Sequence, residues 1–367
     1  MKKRIHPSFL LLTFILSFIS ACFLADSFSF PWYYFSILLI FPIFTFLKYK
    51  KYLVISIFLI FGILLGFFWY KYYIYRNQEL VFNKSDMVCG KVSESKEFNN
   101  QYLLQINSNS IGNSKNNIKF FALTFENPKT LNNLVCLKGE IVKIDSQNSL
   151  VKYAKNKSIF YEIKKSEVTN ATSLKFKENL FEKYISKLQG FAKNINLKIM
   201  KTLPDPEASF ISGLLLGKSN QMPESLKLEL SKTGTTHLIA LSGFNITIII
   251  SFIMFLLKPF PRRITYIITI LAIFSFVIMT GFSSSIVRAA LMAGILMIAK
   301  SFGRLSTQGI VISLAAFLIA LFNPMSLRFD IGFQLSFLAT IGLVYLSPLV
   351  EKSLARYFKN IPIVIFE

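Results

Sequence analysis

The 367-residue chain is poor in histidine, in acids and in cysteine. Its two histidines, His6 and His237, lie far apart, and the acids are scattered. No zinc site of ordinary ligand spacing can be assembled from them, and neither a metal nor a cofactor is expected. Asp and Glu number 19 against 41 Lys and Arg, for a net charge of +22. Much of that charge sits between hydrophobic runs, where it sets membrane topology or attracts a polyanion. The stretch Gly213-Leu-Leu-Leu-Gly217-Lys218-Ser219 is one residue short of a phosphate-binding loop and follows no strand, which excludes that motif.

Apolar residues are abundant. The chain is 53% hydrophobic and 15% aromatic, with 39 Phe and a mean hydropathy of +0.50. Long uncharged runs recur, and the class is a polytopic α-helical membrane protein. Spans are expected at 8–24, 31–47, 52–70, 236–257, 264–280, 286–302, 308–322 and 331–350. The N-terminus imitates a signal peptide, and Ile19–Cys22 resembles a lipoprotein cleavage site; two further spans follow at once, favouring an uncleaved first helix. Basic connections at 48–51, 258–263, 300–304 and 351–360 alternate with connections poor in Lys and Arg at 25–31, 281–285 and 323–330. The positive-inside rule puts the N-terminus in the cytoplasm and residues 78–168 outside it. The expected location is the bacterial cytoplasmic (inner) membrane, crossed many times.

Residues 80–167 change character. Period-two runs (MVCGKVSES, YLLQINS, IKFFALTFE, LVCLKGEIVKI, IFYEIKKSEV) separated by Asn, Ser, Gly and Lys predict a small β-barrel of the OB type. Cys89 and Cys136 sit in two of these runs; outside the cytoplasm they pair as a disulfide, the alternative being two buried thiols. Tyr102, Phe120, Phe121 and Phe125 offer stacking faces for nucleic-acid bases, against the plainer reading that they fill the barrel. Residues 173–200 form a basic amphipathic helix, lying on the membrane or serving as a solvated connector. A short helix over 207–216 is apolar but cannot span.

Three polar sites interrupt the second membrane block: His237, Ser242 and Asn245 with Gly243; Arg288 after three serines; and Asp330 with Gln334, followed by Ser336. Singly, each has a structural explanation: Ser and Asn as packing glue, Arg288 snorkelling, Asp330 as a helix cap. Together, ionisable groups costing ~2.5–3.5 kcal/mol each on insertion point to one aqueous path at the outer ends of the spans. Arg288 and Asp330 are then a candidate ion pair. Ser242-Gly243 is a candidate helix break.

These stretches resemble the ComEC competence protein family. The likeness rests on GTTHLIALSGFNITIII, GFSSSIVRAALMAGI and NPMSLRFDIGFQLSFLATIGLVYLSP, in that order. It implies an inner-membrane channel for uptake of single-stranded DNA during natural transformation, with His237, Ser242, Gly243, Arg288, Asp330, Gln334 and Ser336 in its core. Many relatives carry His where this chain has Asn245. It implies as partners single-stranded DNA, the lipid bilayer, and other competence proteins such as a DNA receptor and a cytoplasmic translocase. Many relatives also carry a metallo-β-lactamase-like nuclease domain, whose His-x-His-x-Asp-His cluster is absent from this sequence, so no enzyme activity is expected. Other readings are transport of another polyanion or solute, or a non-functional truncated fragment of such a channel. The expected organisation is 1–77, three transmembrane helices; 78–168, the extracytoplasmic OB-like β-domain; 169–234, amphipathic and interfacial helices; and 235–367, the competence-type channel domain, ending inside the start of a further span.

Overall fold

The computed structural model describes residues 7–26, 53–78, 87–98, 101–111, 118–124, 134–144, 151–170, 180–217, 222–235, 243–303 and 307–357. In chain order its helices are α1 (Pro7–Leu24), α2 (Leu53–Gln78), α3 (Val151–Lys157), α4 (Leu180–Thr202), α5 (Glu207–Leu216), α6 (Glu224–Lys232) and α7 (Gly243–Leu256). They continue with α8 (Arg262–Met279), α9 (Ser284–Ser301), α10 (Gln308–Phe322), α11 (Ser326–Phe329), α12 (Ile331–Ile341) and, after a π-helical stretch Gly342–Leu346, α13 (Ser347–Tyr357). The strands are β1 (Met87–Phe98), β2 (Gln101–Ile111), β3 (Lys119–Thr124), β4 (Leu134–Lys143) and β5 (Tyr161–Asn170). Among the described residues, five helical stretches are long and apolar enough to cross a membrane: Pro7–Leu24, Val54–Asn77, Arg262–Met279, Ser284–Ser301 and Ile331–Glu351. The expected span at 31–47 lies outside the described residues. The helix in the expected 308–322 span has 15 residues, about 22 Å at 1.5 Å per residue, short of a ~30 Å hydrocarbon core. The protein is a polytopic helical membrane protein carrying a small closed β-barrel.

Two units form. The first comprises Met1–Phe176 with Phe317–Asp330. In it α1 and α2 pack side by side through small residues. A Cβ on Gly62 would collide with the Ser17 side chain and the Phe14 carbonyl, and one on Gly66 with the Phe18 carbonyl. Gly62 and Gly66 are four apart, a Gly-x-x-x-Gly face that lets backbones close together where lipid supplies no hydrophobic drive. The buried Cys22 donates its thiol hydrogen to the Gly66 carbonyl at 3.2 Å. Phe14 stacks on Phe61 with centroids 5.8 Å apart, and Phe18 meets the edge of Phe317 at 4.9 Å.

The barrel closes in the order β1-β2-β3-β5-β4. β3 and β5 run parallel and the other pairs antiparallel, the order of an OB-type barrel. Alternation explains the interior. Val88, Leu104, Ile106, Phe120, Ala122, Val135, Leu137 and Ile163 are each fully buried and share one side of the pleat. Cys89 and Cys136 face each other across β1 and β4, on the opposite side of the pleat, and form a disulfide. α3, between β4 and β5, was not expected from the sequence. It covers the outer side of β2 and β3, where Leu103, Phe121, Ala154 and Ile159 form a second apolar cluster with Leu123, Ile144 and Tyr153 at its edge.

The second unit comprises Lys177–Ala316 and Ile331–Glu367. Its core joins α7, α8 and α9 through Ile246, Ile273, Val277, Ile286 and Met297. The amphipathic helix α4 lies against α8, where the Tyr184 and Ser275 hydroxyls are 2.9 Å apart. Ala192 and Asn196 are its buried positions, and the Ser212 hydroxyl of α5 donates to Asn196 Oδ1. α9 also packs against α12.

Candidate functional site

The polar residues singled out in the sequence divide between the units. His237 and Ser242 lie outside the described residues. The residues before Gly243, where the sequence predicts a break, lie outside the described residues, and the described part of α7 opens at Gly243. A Cβ there would stand 3.5 Å from the Ala289 Cβ, so α7 starts in contact with α9. Asn245, one turn in, donates from Nδ2 to the Leu214 carbonyl at 3.2 Å. Leu214 is in the last turn of α5, whose end carbonyls have no intrahelical donor. Asn245 therefore supplies a helix-end hydrogen bond, a role needing neither proton transfer nor a metal.

Arg288 is the deepest charge of the set. It is 6% exposed, in the second turn of α9, next to buried Ile286. Ser283 is the N-cap residue of α9 and Ser284 and Ser285 open the helix, and the Ser283 carbonyl accepts the Val287 N–H at 2.9 Å. An arginine that snorkelled would show an exposed head group; this one is enclosed.

Asp330 belongs to the first unit, and Gln334 and Ser336 to the second. Asp330 sits in extended backbone (φ −94, ψ 96) immediately before α12, the N-cap position, and its N–H donates to the Ser326 carbonyl at 3.2 Å. Gln334 and Ser336 are half-buried on α12, flanking the buried pair Phe333 and Phe337. The contact of α9 with α12 brings the helix of Arg288 beside the helix of Gln334 and Ser336.

Two of the four stacking candidates, Phe120 and Phe121, need correction. Phe120 and Phe121 are 0% and 1% exposed. Phe120 points into the barrel; Phe121 points outward but lies under α3, its ring stacked on Tyr153 at 5.6 Å. OB-type barrels use the strand 2–3 face for oligonucleotides, and here α3 occupies it. Tyr102 pairs with Thr124 in the β2–β3 ladder; Phe125 lies outside the described residues. Lys119 is exposed at the start of β3; desolvation of its amine and the neighbouring Lys157 ammonium both hold its pKa below the usual lysine value.

Two residues that sequence reading missed hold the first unit together. Asp26, at the end of α1, approaches Lys155 at 3.5 Å and Arg328 at 3.7 Å. Asn323 donates from Nδ2 to the Asn156 carbonyl at 2.9 Å and accepts the Met325 N–H on Oδ1 at 3.1 Å. The available signal was the Asn-Pro pair, a turn initiator.

These observations define a helical membrane protein with an inserted OB-type barrel, a buried arginine in its second membrane block, and no group of His, Cys, Asp and Glu among the described residues that could hold a metal ion. Residues 214–366 match the family model described as "Competence protein". The chain is 26% identical over 173 residues to ComE operon protein 3 of Bacillus subtilis (strain 168), a match covering 47% of this chain and 22% of that protein. Together the two matches support a ComEC-type competence protein. No solved structure matches the chain.

Proposed function

We propose that the chain is an inner-membrane channel component that admits single-stranded DNA to the cytoplasm during natural transformation. The observation carrying this reading is Arg288, 6% exposed within a helix of the competence-matching segment. A charge kept there at ~2.5–3.5 kcal/mol of insertion cost is a functional-site signal, and its guanidinium suits phosphate. Gln334 and Ser336 share the neighbouring helix. His237, Ser242, Gly243 and Asp330 belong to the transport residues in this reading.

Topology supports it. The turn after α1, the 323–330 turn and α3 of the barrel lie together in one unit, as required if all three are on one side of the membrane. We assign that side to the exterior, since the connections concerned are poor in Lys and Arg and the Cys89–Cys136 bridge suits an oxidising compartment. Lys-rich surface there attracts DNA through salt-sensitive phosphate contacts. A DNA receptor outside and a translocase inside are the partners this role requires.

The test is uptake of labelled DNA into a nuclease-resistant state, in cells where this chain replaces the resident channel. Single-stranded product inside the cell is expected. Nuclease-resistant label no higher than in cells lacking the chain, with the protein inserted, contradicts the reading.

A further inference from the structure

Segment Phe317–Asp330 belongs with the barrel and the first helices rather than with its sequence neighbours. Four kinds of contact hold it. Phe317 meets Phe14 and Phe18, with centroids 6.0 and 4.9 Å away. Asn323 donates to the Asn156 carbonyl in the last turn of α3, one of the carbonyls that a helix end leaves without a partner. The same amide accepts the Met325 N–H, which fixes the turn after Pro324. Asp26 stands between Lys155 of α3 and Arg328 of α11, and both cations lie over the Phe329 ring, at 4.7 and 5.7 Å. With side chains 23–33% exposed, these ion pairs are partly shielded from water.

Two features give this arrangement direction. α3 covers the strand face that OB-type barrels use for oligonucleotides. The half-buried end of that helix then grips the turn 323–330, which ends at Asp330.

We infer that Asn323 and Asp26 are positioning residues for DNA passage: through α3 the barrel holds the 323–330 turn, which ends at Asp330, together with the end of α1. This rests on the uptake reading above. The barrel acts on passage by fixing that turn, and its covered β2–β3 face takes no part in base stacking.

The test uses the full chain in cell membranes. In Asn323→Ala and Asp26→Asn, nuclease-resistant DNA falls about tenfold, the scale of one or two lost hydrogen bonds. Surface-bound DNA and inserted protein stay unchanged, and Asp26→Glu keeps uptake. In Asn156→Cys/Asn323→Cys, uptake is low, recovers when a short bis-methanethiosulfonate reagent bridges the pair, and is lost again on mild reduction that leaves the wild type active. Normal uptake in both single variants overturns the inference. So does a parallel fall in inserted protein and surface-bound DNA that bridging does not reverse, which marks a stability role. If the wild type imports DNA but the pair does not bridge, the grip is wrong and the uptake reading stands. If the wild type imports none, both fail.

Discussion

Replacing Cys89 and Cys136 by alanine removes a cross-link between residues separated by 47 positions. For a closed loop of that size, the chain-entropy relation gives about 13–14 cal/mol/K, or about 4 kcal/mol at 25 °C. Domains of this size are stable by only about 5–15 kcal/mol, so the loss is a large part of the barrel's margin. With a urea slope of about 1–3 kcal/mol/M, the midpoint falls by roughly 1.3–4 M. The assay is pulse proteolysis of the full chain in nanodiscs across a urea series, following cleavage at lysines between residues 87 and 170. Reducing the wild type with dithiothreitol should give the same shift as the double substitution. Cys22→Ser, at the buried free thiol, should leave the barrel transition in place. Coincident midpoints for wild type, reduced wild type and the double variant would falsify the reasoning, since an unbridged barrel would then be equally stable.

Phe121→Ala should destabilise the barrel by about 3–5 kcal/mol and leave surface DNA binding by the folded protein unchanged, measured by the same proteolysis and by labelled-DNA adsorption; weaker adsorption by folded protein would restore a stacking role. Gly62→Val forces a side chain against Ser17 and the Phe14 carbonyl, an overpacking cost of about 1–3 kcal/mol, read as cysteine cross-linking lost between α1 and α2. Asn245→Ala should cost about 1 kcal/mol for the lost bond to Leu214, with DNA uptake largely retained; abolished uptake at normal stability would give Asn245 a direct role.

Much of the fold was legible because period and length are strong signals. The five alternating patches became the five strands, and the helix over Glu207–Leu216 has the bounds its prolines predict. Helix α3 was missed: VKYAKNK spans two turns, too short for a helical period to show among its lysines. The Gly62–Gly66 face was hidden because glycines in an apolar run mark a contact without naming the partner. For the site, Arg288 was legible as a charge amid an apolar run, but its burial was not, since the sequence left snorkelling open. The assignment of Asn323 and Asp26 to α3 was not legible either, because long-range pairing of a turn with a distant helix end leaves no local pattern. Phe120 and Phe121 are buried for the ordinary reason that Phe in a small barrel is worth more inside than out.

Arg288→Met tests the central claim most directly. Methionine nearly matches the length of the buried stem without the charge, and exchanging a buried charge for an apolar group is often neutral or stabilising for the fold. If Arg288 serves DNA passage, the variant inserts at wild-type level or above, binds DNA at the surface normally, and accumulates at least about tenfold less nuclease-resistant DNA. Import at the wild-type rate by that variant would contradict the account, leaving Arg288 as packing alone.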